Sequence, residues 1–136
     1  MRVVLDTNVL ISGIFWAGTP FRILELWNNK KINLIVTEEI LQKYVAVLRR
    51  HEDHSGIADE WLMLFSQRFQ IIENQHHLRL SRDPYDDMFI NGAITGRAKY
   101  IISGDKDLLT LHSVKNIRIV SPAQFLKIFT EETSKK

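Results

Sequence analysis

Residues 100–107 have the sequence YIISGDKD, in which an apolar run stops abruptly at polar and acidic residues. A short apolar run without alternating polar positions is typical of a strand that is buried on both faces of a sheet. Residues 3–8, VVLDTN, have the same pattern near the opposite end of the sequence. The two runs predict buried strands of a parallel sheet, which needs helices on both of its faces.

The rest of the sequence alternates short apolar runs with longer segments of helical periodicity, as expected of an α/β sandwich. The apolar runs predict strands at residues 3–6, 33–36, 69–72, 100–103 and 118–121. Helical spacing predicts helices over residues 20–27, after Thr37, over 58–68, from Pro84 to about 97 and from about 122 onwards. Thr37 and Asp83 are the predicted N-caps of their helices, because their side-chain oxygens can accept hydrogen bonds from free backbone N–H groups.

The composition fits a single globular domain. The 136 residues are 45% hydrophobic and 25% charged, without a low-complexity segment, repeat or linker. We assign residues 1–130 to one domain and residues 131–136 to a polar tail. The 18 basic and 16 acidic residues give a net charge of +2, which excludes a histone-like protein and does not by itself indicate nucleic-acid binding.

The absence of cysteine excludes disulfide scaffolds, thiolate zinc sites, iron–sulfur clusters and cysteine nucleophiles. Asp6 and Asn8 interrupt the first apolar run, which argues against a signal peptide. The longest uncharged stretch, residues 7–21, is too short and too polar to span a membrane. We therefore expect a cytoplasmic protein without a membrane segment.

Polar side chains occur where two of the predicted strands end. Asp6 and Asn8 follow the first strand, and Ser103, Asp105 and Asp107 lie at the end of the strand in residues 100–103. Because ligands of open parallel sheets bind beyond the carboxyl ends of the strands, we expect these side chains to converge there. Two structural interpretations stay open: Asp6 as a cap of the next segment, and Asp107 as a first-turn acid of a short helix.

The helix predicted after Asp83 supplies a further acid. Asp87 shares one helix face with Ile90 and Asn91, which directs its carboxylate towards the same edge of the sheet. We therefore expect Asp87 to belong to the site. Asp83 and Asp86 are expected to act as N-cap and as a partner of the helix dipole.

Carboxylates that converge in a partly buried place repel one another by about 4 kcal/mol per pair at 4 Å and an effective dielectric constant of 20. A cation offsets this repulsion, and oxygen ligands favour Mg²⁺ or Mn²⁺. The candidate metal ligands are Asp6, Asp87, Asp105 and Asp107. Phosphodiester hydrolysis is the natural chemistry of such a site.

Three motifs resemble those of PIN-domain nucleases, in the same order along the chain. They are VLDTNVLIS at residues 4–12, RDPYDDMFI at residues 82–90 and SGDKDLL at residues 103–109. The resemblance extends over nearly the whole chain. It implies a three-layer α/β/α sandwich with a central parallel sheet of four or five strands.

Within this family the chain is most similar to VapC-like toxins of prokaryotic toxin–antitoxin pairs. The resemblance implies a metal-dependent endoribonuclease that cleaves RNA, forms a homodimer and is held inactive by a small antitoxin protein. Asp6, Asp87 and Asp105 match the metal-binding acids of the family. Asn8 and Ser103 match supporting polar positions near the metal.

One position departs from the family pattern. The helix after the second strand usually carries a glutamate in a Leu-x-Glu-Tyr context, which here is LQKY at residues 41–44, so Lys43 takes the place of the acid. Glu39 lies one turn of about 5.4 Å earlier and either replaces the missing acid or stabilises the helix N-terminus. If Lys43 points into the site, its charge opposes the metal ion. The alternative function is therefore a catalytically weakened module that binds RNA or protein.

Other features have weaker functional interpretations. The histidines of HEDH at residues 51–54 are three apart rather than four, which favours a solvated loop over a zinc site. Residues 76–82, with Arg49 and Arg50, either contact RNA phosphates or form an ordinary surface. The three tryptophans favour a core or a dimer interface over base stacking. A receiver domain is disfavoured, because a lone Asp6 ends the first strand and no acid follows the third strand closely.

Overall fold

The computed structural model describes residues 1–51 and 56–134. Along the chain the elements are β1 (Arg2–Leu5), α1 (Thr7–Phe15), α2 (Thr19–Asn28), β2 (Asn33–Leu34), β3 (Val36–Thr37), α3 (Glu38–Arg50), α4 (Ile57–Arg68), β4 (Ile71–Ile72), α5 (Pro84–Thr95), β5 (Tyr100–Ile102), α6 (Lys106–Thr110), β6 (Ser113–Val114), β7 (Ile117–Val120) and α7 (Pro122–Ser134). Residues 52–54 of the HEDH motif lie outside the described residues.

A five-stranded sheet with the order β2-β1-β5-β7-β6 forms the centre of the fold. Its first four strands are parallel, and β6 pairs antiparallel with β7. Helices flank this sheet, and strands β1 and β5 at its centre are almost completely buried. The predicted α/β sandwich with a mostly parallel sheet is therefore confirmed.

The apolar run at residues 33–36 serves two sheets instead of one. Asn33 and Leu34 pair with β1, whereas Val36 pairs with Ile71 in a separate two-stranded sheet of β3 and β4. The run at residues 69–72 therefore does not join the central sheet. Phe69 instead ends α4, where its ring stacks on Phe65 with the centroids 4.6 Å apart. An apolar run indicates burial but not the partner strand, which explains both errors.

The hairpin of β6 and β7 is absent from the sequence-based prediction. Its two turn residues, Lys115 and Asn116, have φ angles of 48° and 70°. Positive φ at both central residues is the mark of a type I′ turn, whose usual signal is Asn-Gly or Asp-Gly. The pair Lys-Asn lacks the glycine and gives no such signal.

Helix α1 begins directly after β1, without a connecting loop. Asp6 is its N-cap, and the Asp6 carboxylate accepts a hydrogen bond from the Val9 N–H at 2.8 Å. Helix α2 packs closely on α1 at Gly13, where a Cβ atom would lie only 2.7 Å from the Leu24 side chain. Glycine thus allows the contact between the two helices that support the end of β1.

Two predicted N-caps are confirmed. The Thr37 hydroxyl accepts from the Ile40 N–H at 3.2 Å, and the Asp83 carboxylate accepts from the Tyr85 N–H at 2.9 Å. These caps fix where α3 and α5 begin. Pro84 occupies the first position of α5, where its missing N–H costs no hydrogen bond.

Helix α7 continues to Ser134, so the predicted polar tail is helical as far as this residue. Glu132 in this segment accepts hydrogen bonds from Lys99 Nζ and from the Tyr100 hydroxyl, both at 3.2 Å. Residues 135 and 136 lie outside the described residues.

No helix in the described ranges is by itself long and apolar enough to cross a membrane, and α1 with α2, bent by 91°, meets the length and composition criteria only as a pair.

Candidate metal centre

The ends of β1 and β5 bring Asp6 and Ser103 together. Leu5 pairs with Ile102 in the central sheet, so the residues that follow lie side by side. The Asp6 N–H donates to the Ile102 carbonyl oxygen at 3.0 Å, and the Ser103 hydroxyl donates to the Asp6 carboxylate. Both side chains are buried.

Asp6 is held by hydrogen bonds at both carboxylate oxygens. Oδ1 accepts from the Val9 N–H, and Oδ2 accepts from the Ser103 hydroxyl. Burial raises the pKa of Asp6, and these hydrogen bonds oppose that effect only in part. Asp6 therefore caps α1 and also ties β1 to the end of β5.

Ser103 connects Asp6 to the next acid along the chain. While its hydroxyl donates to Asp6, the same oxygen accepts from the Asp105 N–H at 2.9 Å. Asp105 in turn caps α6, with its Oδ1 accepting from the Asp107 N–H at 2.8 Å. This chain of hydrogen bonds fixes the backbone that carries Asp105 and Asp107.

Three carboxylates, from two different elements and the residue that caps one of them, form the acidic cluster. Asp86, Asp105 and Asp107 each have an oxygen within 4.8 Å of the other two. Asp86 is buried, Asp105 is half-buried and Asp107 is exposed. The cluster therefore has a buried floor and an open side.

Asp86 is the least compensated side chain in this cluster. It is 5% exposed, and its Oδ2 atom has no hydrogen-bond partner among the described residues. Burial and the negative charges of four other aspartates, Asp105 first among them, raise the pKa of Asp86 to about 7. A buried, unpaired carboxylate is unfavourable unless a proton or a cation satisfies it. The all-carboxylate donor set fits a hard divalent cation such as Mg²⁺ or Mn²⁺.

Asp87 lies elsewhere, and here the sequence-based expectation needs correction. Its Oδ1 accepts from the Leu80 and Ser81 N–H groups at 2.9 Å and 2.8 Å and from the Ser81 hydroxyl at 3.0 Å. The structure thus places Asp86 in the position that was expected for Asp87. Consecutive residues of a helix differ by about 100° around its axis, so only one of the two can face the cluster.

Asp87 belongs to a polar ladder that holds residues 74–81, which we call the strap, against α5. Asn91 exchanges two hydrogen bonds with the backbone of Leu78, both at 3.0 Å. The Thr95 hydroxyl lies within 3.2 Å of partners at residues 74–76. Asp87, Asn91 and Thr95 are spaced four apart on one helix face, and this spacing is the sequence signal for the ladder.

The other predicted site residues lie outside the cluster. Asn8 is exposed in the first turn of α1. Glu39 is exposed beside a shallow cavity of about 600 Å³, formed with residues 71–74, and does not join the three aspartates. Lys43 is half-buried, and its ammonium lies over the Tyr85 ring, 4.4 Å from the centroid.

Tyr44 is a positioning residue that the sequence analysis did not single out. It is fully buried in α3, and its hydroxyl donates to the carbonyl oxygen of Leu5. Burial, with a contribution from the Asp6 charge, raises the pKa of Tyr44. Tyr44 therefore fixes the last residue of β1 and hence the start of the Asp6 segment.

Comparison with known proteins agrees with this geometry. Residues 2–107 match the PIN domain family. No curated protein matches the sequence. The fold resembles a chain in the crystal structure of VapBC2 from Rickettsia felis bound to a DNA fragment from their promoter, with a TM-score of 0.60 and 15% identity over 88% of this chain and 97% of that chain. The family match extends over most of the sequence and includes all of the acids described above, and the chain belongs to the PIN domain family.

Proposed function

We propose that this protein is a divalent-metal-dependent endoribonuclease whose metal ligands are Asp86, Asp105 and Asp107. The observation that carries the proposal is the approach of the three carboxylates to within 4.8 Å, with one buried Asp86 oxygen lacking a partner. Members of the PIN domain family are generally nucleases, which supports hydrolysis of a nucleic acid.

Mg²⁺ or Mn²⁺ bound by these ligands would activate a water molecule and stabilise the charge that develops on the phosphate. The chain's own contribution is to hold the carboxylates apart from protons and in fixed positions. Asp6 acts through Ser103, which orients the Asp105 backbone. Asp86 must lose its proton to bind the ion, so metal binding strengthens as the pH rises through about 7.

Positive charge beside the cluster supports RNA as the substrate. In the strap, His77 and Arg79 are exposed, while the intervening side chains face α5. Arg82 is exposed between the strap and Asp83. Because the polar ladder fixes the strap backbone, these cations are presented at fixed positions for phosphate contacts. Arg49 and Arg50 lie in the last turn of α3, where they complement the helix dipole, and are not part of this surface.

We further propose that the protein is the cytoplasmic toxin of a toxin–antitoxin pair. The fold likeness to a chain of the VapBC2 structure, a complex bound to promoter DNA, supports an antitoxin partner. Large exposed side chains such as Trp16 and Met63 are available for contacts in a homodimer or with the antitoxin. Light scattering of the protein alone and after co-expression with its neighbouring small gene product tests both assemblies.

The alternative, a catalytically weakened binding module, rests on Lys43. Against it, the Lys43 ammonium lies on Tyr85, and among the described residues the only ion pair joins Lys99 to Glu132. Lys43 therefore does not neutralise the cluster. A rise of the melting temperature with Mn²⁺ supports the nuclease, whereas no rise supports the module.

Cleavage of a fluorescent RNA in Mn²⁺ and in EDTA tests the activity. We expect cleavage only with the metal, and we expect its loss in Asp105→Asn. Asp59→Asn is the matched control, because Asp59 is an exposed acid in the first turn of α4, outside the cluster. Cleavage that persists in EDTA or in Asp105→Asn contradicts the proposal.

A further inference from the structure

Tyr85 places an exposed aromatic ring beside the acidic cluster. The residue is 59% exposed, although it directly precedes the buried Asp86. Its backbone N–H bonds to the Asp83 carboxylate, and none of the described residues hydrogen-bonds to its hydroxyl. The ring is therefore not needed to complete the core or a hydrogen-bond network.

Lys43 holds this ring from the neighbouring helix. Its ammonium lies 4.4 Å from the ring centroid, well within the distance of about 6 Å at which a cation is attracted to an aromatic face. Helices α3 and α5 pack against each other, so the contact joins two fixed elements. The ring is thereby held in one orientation while much of it remains in contact with solvent.

The charge of Lys43 remains available to an anion. Among the described residues no carboxylate lies within ion-pair distance of this ammonium. An ammonium on a flexible stem is a common phosphate contact in proteins. Lys43 and Tyr85 thus combine a cation and an exposed π-face, which are the two groups that bind single-stranded nucleic acids.

The position of this pair fits a nucleotide next to the scissile phosphate. The Cα atoms of Tyr85 and Asp86 are about 3.8 Å apart, so the ring and the cluster are reached from adjacent points of one helix. A base in a duplex is already stacked and paired, whereas an unpaired base can lie on an aromatic ring. Stacking on such a ring is tolerant of sequence, because every base has a π-face.

We propose that Tyr85 stacks on an unpaired base beside the scissile phosphate while Lys43 contacts a phosphate of the same strand, so that the site selects single-stranded RNA. This inference rests on the proposed nuclease function, which it deepens by naming the substrate class. It assigns Lys43 to substrate binding, in place of the opposition to the metal ion considered from the sequence.

Three variants isolate the two contacts. Tyr85→Leu removes the ring, Tyr85→Phe keeps it, and Lys43→Met keeps the apolar stem while removing the charge. Phe21→Leu is the control, because Phe21 is a 42% exposed aromatic residue on α2, away from the cluster. Melting temperatures of all variants verify folding, and the two substitutions at Tyr85 share the same site, so a loss specific to Leu reports the ring.

Binding is measured in EDTA, so that no cleavage occurs, with a single-stranded RNA that contains the fluorescent base 2-aminopurine. We expect binding to quench the fluorescence in wild type and in Tyr85→Phe, and we expect little quenching in Tyr85→Leu. In cleavage assays with Mn²⁺, Tyr85→Leu should raise KM about 10-fold with a smaller change in kcat. Lys43→Met should raise KM less and should weaken the dependence of binding on salt.

Unchanged quenching and KM in Tyr85→Leu, or equal cleavage of single-stranded and duplex RNA by wild type, would overturn the inference. If wild type cleaves RNA and Tyr85→Leu behaves as Phe21→Leu does, the inference fails while the nuclease function stands. If wild type quenches 2-aminopurine through Tyr85 but cleaves no RNA with Mn²⁺, the nuclease function fails while the binding element stands.

Discussion

Asp86 and Asp87 are consecutive residues of α5 and are almost equally buried, at 5% and 8% exposure, yet their carboxylates have opposite surroundings. Asp87 accepts three hydrogen bonds from Leu80 and Ser81. Asp86 faces other acids and has an oxygen without a partner. The first arrangement stabilises the fold, and the second is stable only when a proton or a cation is added.

The difference identifies the functional carboxylate better than burial or position in a motif does. A buried carboxylate whose donors are all supplied by the chain is structurally satisfied. One that lacks donors and sits among like charges has a raised pKa and marks a candidate site. Variants at the two positions should therefore separate activity from stability.

The largest expected effect is on the activity of Asp86→Asn. This variant removes a proposed metal ligand, whereas loss of groups around a metal site already costs about 10–100-fold, so we expect RNA cleavage to fall by at least about 100-fold. Its melting temperature in EDTA should not fall, because the substitution removes charge repulsion with Asp105. Cleavage rates and thermal melts of the same preparation test this. Near-normal cleavage would show that Asp86 does not hold the ion.

Asp87→Ala should mainly lose stability. The substitution leaves two strap N–H groups and one hydroxyl without their acceptor, and hydrogen bonds to charged groups contribute about 1.5–3 kcal/mol. Because these bonds share one acceptor, we expect a total loss of about 3 kcal/mol in the free energy of unfolding. Denaturant titration measures it, with Asp86→Ala as the partner variant. A stable Asp87→Ala protein with no metal binding would reverse the roles assigned to the two residues.

The stability of the protein in EDTA should depend on pH through Asp86. Its pKa is raised from 3.8 to about 7, so the folded state binds this proton more tightly than the unfolded chain does. The resulting stabilisation is fully present below about pH 4 and is lost as the pH rises through about 7. Melting temperatures across this range should fall in wild type and should fall less in Asp86→Asn. A smaller slope remains in the variant, because burial also raises the pKa of Asp6. Equal slopes in the two proteins would contradict the assignment.

The smallest of these effects is expected for Ser103→Ala. Ser103 contacts Asp6 and the Asp105 N–H without being a proposed ligand. Its loss should weaken Mn²⁺ binding by about 10-fold, as is usual for residues that orient metal ligands. Calorimetric titration with Mn²⁺ measures the change. Unaltered affinity would mean that Asp105 is positioned without this hydroxyl.

Sequence patterns were sufficient for the parts of the molecule that depend on burial and on strand ends. The runs that became β1 and β5 predicted the sheet edge at which Asp6 and Ser103 meet. The N-caps at Thr37 and Asp83 followed from the side-chain chemistry of helix starts. These features are local, so each can be recognised from a few neighbouring residues.

The choice between Asp86 and Asp87 depended on contacts that no local pattern contains. The apolar face assigned to Asp87 is the face on which the strap lies, and that contact joins segments whose pairing is not encoded by periodicity. Only the spacing of Asp87, Asn91 and Thr95 indicated a polar ladder. The pairing of Lys43 with Tyr85 likewise depends on how α3 packs against α5.

The central claim, that Asp86 rather than Asp87 binds the ion, is tested most directly by anomalous diffraction from crystals soaked in Mn²⁺. We expect one strong anomalous peak in contact with oxygens of Asp86, Asp105 and Asp107, with the Asp87 Oδ1 atom still bonded to Leu80 and Ser81. A peak bound by Asp87, with Asp86 uncoordinated, would contradict the account.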